Sequence, residues 1–296
     1  MALFNDIDDF QAAVRVNGDL DVDTLLIHVE QARKYVEPWA GVALVNLCFD
    51  QDANSTDSVK ALLPYMRACV GPFTMVEAAP VLDVGASNSG FIVTMTGTAA
   101  PASRDRVAAF SAQMISTGYD ALVRMMEFLL ANKANYSQWT GAVNAYSRYT
   151  GHVLRNSIQM TEFVDVPVSA RQFFETHAKF SEVESEYVAG YISSTLLAQI
   201  VTEVIAGTVT AVNKVILPWI CRGLANKFVA EITDDEKKVQ KFINTAEYYL
   251  TKAQKYMDAN IASYPLYEAS DCYSATRTTY EKFENKAENT FFNFNA

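Results

Sequence analysis

The chain says nearly the same thing twice, and an internal repeat at this distance restricts it to a fold in which one supersecondary unit is used again. Leu62-Leu63-Pro64-Tyr65-Met66-Arg67-Ala68-Cys69 reappears as Ile216-Leu217-Pro218-Trp219-Ile220-Cys221-Arg222-Gly223, and Ala131-Asn132 with Tyr136 reappears as Ala259-Asn260 with Tyr264. The first pair is offset by 154 residues and the second by 128, so the first copy carries 26 residues that the second lacks. Those residues fall between Phe73 and Phe110, where the texture turns from helical to strand-like. A weaker anchor aligns Phe10 with Phe174. The pattern predicts a mainly α fold of duplicated antiparallel helical-bundle modules with a β-hairpin inserted in the first. Duplication without a catalytic signature favours a building block over an enzyme.

Within that frame the expected modules are residues 1–142, with the hairpin at 75–96, and residues 165–267, joined by a bridge at 143–164 and followed by a tail at 268–296. A length of 296 residues suffices for two cores, and half the residues are apolar or aromatic. The net charge is −10 and no basic run exceeds Lys237-Lys238, which excludes a surface built to grip a phosphate backbone. The scattered Cys48, Cys69, Cys221 and Cys272 read as free thiols in a reducing compartment. MALFNDIDDF has acids where a signal peptide needs bases. The apolar stretch from Leu196 to Ile220 is broken by Gln199, Glu203, Asn213 and Lys214, so a soluble protein with no membrane span is expected.

Asp6-Ile7-Asp8-Asp9 is placed to cap a short helix ending near Arg15, and Leu25, Val29, Ala32 and Val36 recur at helical spacing up to Pro38. Val42 to Phe49 reads as helix, as does Val59 to Val70, with Gly71-Pro72 expected to end it. Val81-Leu82-Asp83-Val84 and Phe91-Ile92-Val93-Thr94-Met95-Thr96 flank a Gly85–Gly90 loop, a hairpin signal. A helix follows from Arg104 to Lys133, then partial helix from Trp139 to Tyr149 and a strand at 162–168. Ser169 is expected to cap a helix to Phe180, and apolar helices are expected at 183–206 and 209–224. Asp234 opens a charged helix to about Tyr264.

Chemistry is harder to find. Asp19, Asp21 and Asp23 alternate as in a calcium loop, but the turn glycine and the bidentate glutamate are missing. His28, His152 and His177 are remote in sequence and lack metal-ligand spacing. Glu182, Glu184 and Glu186 alternate like a solvated face, and tyrosines from Tyr248 to Tyr273 read as interface residues. No catalytic residue, metal site or cofactor is therefore assigned. The assigned contacts are protein interfaces: Val81, Leu82, Phe91, Ile92 and Val93 of the hairpin, and Phe291, Phe292 and Phe294 of the tail, none of which can bury its side chain within so small an element.

Phe10-Gln11-Ala12-Ala13-Val14-Arg15-Val16-Asn17-Gly18-Asp19-Leu20-Asp21-Val22-Asp23-Thr24-Leu25-Leu26, continuing to Ala32-Arg33-Lys34-Tyr35-Val36, resembles the opening of the head–tail connector (adaptor) proteins of tailed bacteriophages. A fainter echo runs from Phe174 through Tyr191, Leu196 and Leu197. With Pro80-Val81-Leu82-Asp83-Val84, Ser89-Gly90-Phe91-Ile92-Val93 and Pro101-Ala102-Ser103, the long form resembles the ring proteins of crAss-like phages of Bacteroidetes. The resemblance implies a virion protein of the neck or tail, assembled in the host cytoplasm. It also implies a ring of twelve copies contacting the portal protein and adjacent tail or ring proteins, with genomic DNA passing through the channel without specific binding. Another virion component, such as a tail hub or an ejected cargo protein, fits the same residues, and an enzyme with an unrecognised constellation is the reading from another class.

Overall fold

The computed structural model describes residues 3–4, 6–14, 22–52, 55–82, 84–87, 90–93 and 104–275, with side chains described outside 22–24 and 81–93. The fold is mainly α. Helix α1 (Ile7–Val14) starts where Asp6 Oδ1 accepts the Asp9 amide at 2.8 Å, and it buries Phe10 and Val14. Helix α2 (Val22–Ala40) buries Leu25, Val29, Ala32, Val36 and Trp39 on one stripe and runs through Pro38 without ending there. It stops at Gly41, whose φ of 80° is open to glycine and strained for other residues. A Cβ there would also lie 2.7 Å from that of Ala142. Helix α3 (Val42–Phe49) then turns back onto the bundle, burying Leu44, Val45, Cys48 and Phe49.

Helix α4 (Asp57–Leu82) overturns two expectations. It passes through Pro64, Pro72 and Pro80, so Gly71-Pro72 does not end it, and Val81 and Leu82 close a helix and form no strand. An interior proline costs roughly 3 kcal/mol. Against that, Leu62, Met66, Cys69, Val70, Phe73 and Ala78 are fully buried, and each large apolar side chain contributes about 1.5–3 kcal/mol. Tertiary packing between α2 and α5 (Arg104–Ala131) therefore overrides the local break. Gly71 serves close packing: a Cβ there would meet Val14 Cγ2 at 2.8 Å, where α1 crosses. Between α4 and α5, strands β1 (Val84–Ser87) and β2 (Gly90–Val93) pair antiparallel with Val84 opposite Val93. Helices α4 and α5 also run antiparallel, since Tyr65 stacks on Phe128 at 4.3 Å while Phe73 meets Tyr119 at 5.1 Å.

After α5 the chain makes a 3₁₀ turn at Lys133–Asn135 and the short helices α6 (Ser137–Thr140) and α7 (Val143–Thr150). Tyr136, with φ −124° and ψ 64°, donates its hydroxyl to the Ser58 carbonyl at 2.8 Å, tying this end to the start of α4. Helix α8 (Ser157–Thr161) follows, and the expected strand at 162–168 is absent. Side chains satisfy its backbone instead: Asn226 Nδ2 donates to the Phe163 carbonyl at 3.2 Å and Thr161 Oγ1 accepts from the Val168 amide at 3.5 Å.

The capping box at Ser169 and Gln172 opens α9 (Ala170–Glu175), which is followed by α10 (His177–Glu182), a π-helical turn at Val183–Val188 and α11 (Ala189–Ile192). The single apolar helix expected over 183–206 is broken. Ser193, at φ 79°, redirects the chain by 114° into α12 (Ser194–Ala206) and caps it by accepting the Leu196 amide. Helices α13 (Asn213–Glu231) and α14 (Glu236–Ala259) pair antiparallel, with Trp219 against Tyr256 and Arg222 donating to the Tyr249 hydroxyl at 2.8 Å.

A 3₁₀ turn at Ile261–Ser263, α15 (Pro265–Glu268) and α16 (Asp271–Ala275) close the described chain. Tyr264, at φ −126° and ψ 59°, donates to the Val212 carbonyl at 3.0 Å, just before α13. With Tyr267 fully buried as well, these tyrosines serve the core and not the expected interface. The Phe10–Phe174 anchor fails, because α1 lies on α4 whereas Phe174 packs against Trp39 and Tyr119. One continuous core runs from Leu3 to Tyr267. Among the described residues no single helix is long and apolar enough to cross a membrane.

Gly41→Ala should lower stability by about 2 kcal/mol or more, combining a strained positive φ with contact on Ala142. Gly190→Ala, in a helix with nothing within 4 Å of the new methyl, should be neutral or stabilising by up to about 1 kcal/mol. Urea denaturation of both variants checks the difference.

Candidate functional site

The backbone of five of the expected interface residues is described. Val81 and Leu82 end α4, while Phe91, Ile92 and Val93 lie on β2 opposite Ala86, Gly85 and Val84. The side chains of these residues, and the whole of Phe291, Phe292 and Phe294, lie outside the described residues. What the fold does assemble is a polar joint where the segment after α7 meets α10, the π turn and α5.

The joint begins with Glu184. Of the three alternating acids, Glu182 and Glu186 are exposed, but Glu184 is only 4% exposed, so the reading of all three as a solvated face is wrong at its centre. The signal was present in the sequence: Phe173, His177, Phe180 and Glu184 recur at spacings of four, three and four, placing the acid on the apolar stripe. Both of its oxygens are engaged. Glu184 Oε2 bonds His152 Nδ1, and Oε1 accepts the Val153 amide at 2.8 Å. Both partners come from the segment after α7.

His152 then meets His177, ring centroids 4.8 Å apart, although the two are remote in sequence. His177 also stands edge-on to Trp39 at 4.9 Å, and the Arg148 guanidinium lies over the Trp39 ring, 5.4 Å from its centroid. Burial, then the neighbouring His152 and Arg148, push the His177 imidazole down to about 3. His28, the third histidine, is buried elsewhere and bonds Gln31 at 2.9 Å. Among the described residues no three His, Cys, Asp or Glu side chains converge to hold a metal ion.

Outside the paired His152 and Glu184 the joint opens into a cleft of about 580 Å³, lined by Asn144, Ser147, Arg148, His177, Glu175 and Ser181 among others. Glu175 is engaged by Arg171, whose Nε lies 3.0 Å from both carboxylate oxygens. On the inner side, Glu127 accepts the Tyr149 hydroxyl at 2.6 Å and Asn156 Nδ2 at 2.8 Å, so the linking segment is held from this side too. The thiols take no part: burial pushes Cys48 and Cys221 up to about 12.

Residues 31–148 and 226–277, more than half of the chain, match a family of unknown function, DUF6712, and the chain belongs to that family. No curated protein and no solved structure matches it.

The depressed His177 sets an acid sensitivity with a definite sign. The unfolded chain takes up this proton near the ordinary histidine value of 6.5 and the folded chain only near 3, so acid favours unfolding between the two. Stability should fall by about 1–2 kcal/mol between pH 7 and pH 5 from this group alone. His177→Phe, which keeps an aromatic ring against Trp39, should flatten the slope in urea titrations at the two pH values.

Proposed function

We propose that this member of DUF6712 is a structural subunit of a tailed-phage particle, a head–tail connector whose copies form a ring between portal and tail. The observation that carries the reading is the recurrence of one local design in one chain. Gly41 and Ser193, 152 residues apart, break the chain at nearly the same angles, φ 80° and ψ 142° against φ 79° and ψ 137°. Each break leads through an apolar helix to a proline-containing helix, α4 or α13, that pairs antiparallel with the next. Each pair ends in an Asn whose side chain caps the preceding turn, Asn132 to Phe128 and Asn260 to Tyr256, and in a tyrosine bonded to the carbonyl near the start of the proline helix. The reading takes 1–142 and 165–267 as copies of one module, with the β1–β2 hairpin as an insertion where the second copy has only residues 232–235.

A chain of repeated modules suits assembly through heterologous contacts, the kind that closes into rings. The resemblance at Phe10–Val36 supplies the identity of the ring and its twelve copies, with the portal and neighbouring tail proteins as partners. Twelve chains at −10 each would carry about −120, which keeps passing DNA off the wall. The site is the virion neck, reached after assembly in the host cytoplasm.

One observation favours a second reading, an enzyme: a cleft holding a strongly shifted histidine beside a His–Glu pair is a common catalytic arrangement. Two details weigh against it. A base near 3 is a poor proton acceptor at neutral pH, and both oxygens of Glu184 are occupied in holding the linking segment.

Electron microscopy of the purified chain, alone and mixed with its portal, should give rings. Compact monomers under both conditions would overturn the connector reading. Deleting residues 288–296, which removes Phe291, Phe292 and Phe294, should weaken assembly while leaving helix content and melting of the isolated chain nearly unchanged. A truncated chain that assembles normally but melts earlier would make the tail part of the subunit's own core.

A further inference from the structure

We propose that the cleft at Arg148 is a binding site for a carboxylate presented by an acidic protein segment, an inference independent of the virion reading. The charges around the cleft leave one cation over. Glu175 is taken by Arg171 through both oxygens, and His152 is taken by Glu184, whereas Arg148 has no carboxylate partner among the described residues. Its guanidinium is held over Trp39, a ring that is 4% exposed, so the fork is positioned before any ligand arrives. Asn144 and Ser181 line the same cleft with amide and hydroxyl donors, the groups that complete a carboxylate's hydrogen bonds once Arg has taken its share.

The cleft's volume, about 580 Å³, lies in the range of roughly 300–1,000 Å³ typical of ligand sites and admits a short peptide segment. A single uncompensated positive charge with Glu175 nearby matches one carboxylate group of a segment better than a dianionic phosphate group, which the glutamate would repel more strongly. The low affinity of His177 for a proton fits the same picture, because it arises in part from Arg148 and would be relieved by an anion at that guanidinium.

The test uses the full chain and a fluorescein-labelled synthetic peptide of residues 16–25, whose Asp19, Asp21 and Asp23 supply carboxylates, with anisotropy as the readout. Binding should appear at low salt, and should drop at least tenfold with Arg148→Ala and less with Arg148→Lys, which keeps the charge but loses the fork. An Asn version of the peptide should not bind. Acetate should compete weakly; acetate competing as well as the acidic peptide would assign the site to free small carboxylates and overturn the proposal's protein segment. Phosphate competing better than acetate would overturn the carboxylate assignment. Unchanged binding in Arg148→Ala, or no binding of the acidic peptide, would overturn the site. If Arg148→Ala proves unstable, Asn144→Asp, which adds a repelling charge to the same cleft, should abolish peptide binding, and failure to do so would count against the proposal in the same way.

Discussion

The fold depends on one carboxylate that has been taken out of water. Burying Glu184 without partners would be prohibitive, and removing one partner of such a buried pair typically costs about 3–5 kcal/mol. The partners are the His152 ring and the Val153 amide, so satisfying the acid fixes where the chain must run after α7. Once that segment is fixed, His152 meets His177, and Phe174 and His177 close against Trp39. An aromatic seam thereby joins α2 to α9 and α10, and the cleft beside Arg148 is its open edge.

The helix pairs α4–α5 and α13–α14 rely on a different device. Each antiparallel pair is closed by a tyrosine whose hydroxyl reaches the carbonyl near the start of the proline helix, a net gain of about 1 kcal/mol that also fixes the register of the closing turn. The prolines leave backbone carbonyls without helical donors, a cost borne by the fully buried faces of α4 and α13.

Much of this was legible from residue spacing. The stripe of Leu25, Val29, Ala32 and Val36, the helix at Val42–Phe49, the Ser169 cap and the long helix from Arg104 follow from periodicity and capping chemistry that tertiary contacts only reinforce. What was not legible depended on packing. Gly71-Pro72 looks like a stop, yet it lies where α1 crosses α4 and close approach matters more than local propensity. Ser193 carries no local sign of a positive φ, so an apolar run reads as one helix when it is two. Glu184 was hidden by its neighbours, because Glu182 and Glu186 are exposed and only the longer stripe from Phe173 marks it as buried. The His152–His177 meeting spans the joint, and no spacing rule reaches across a tertiary contact.

Native-state hydrogen exchange on Glu184→Gln tests most directly whether this carboxylate fixes the segment after α7. Replacing the carboxylate by an amide removes the carboxylate that bonds His152 while keeping the shape. The account predicts loss of protection confined to residues 151–156 and the π turn Val183–Val188, with the α4–α5 and α13–α14 pairs still protected. Unchanged exchange in the linking segment, or a uniform loss across both helix pairs, would contradict it.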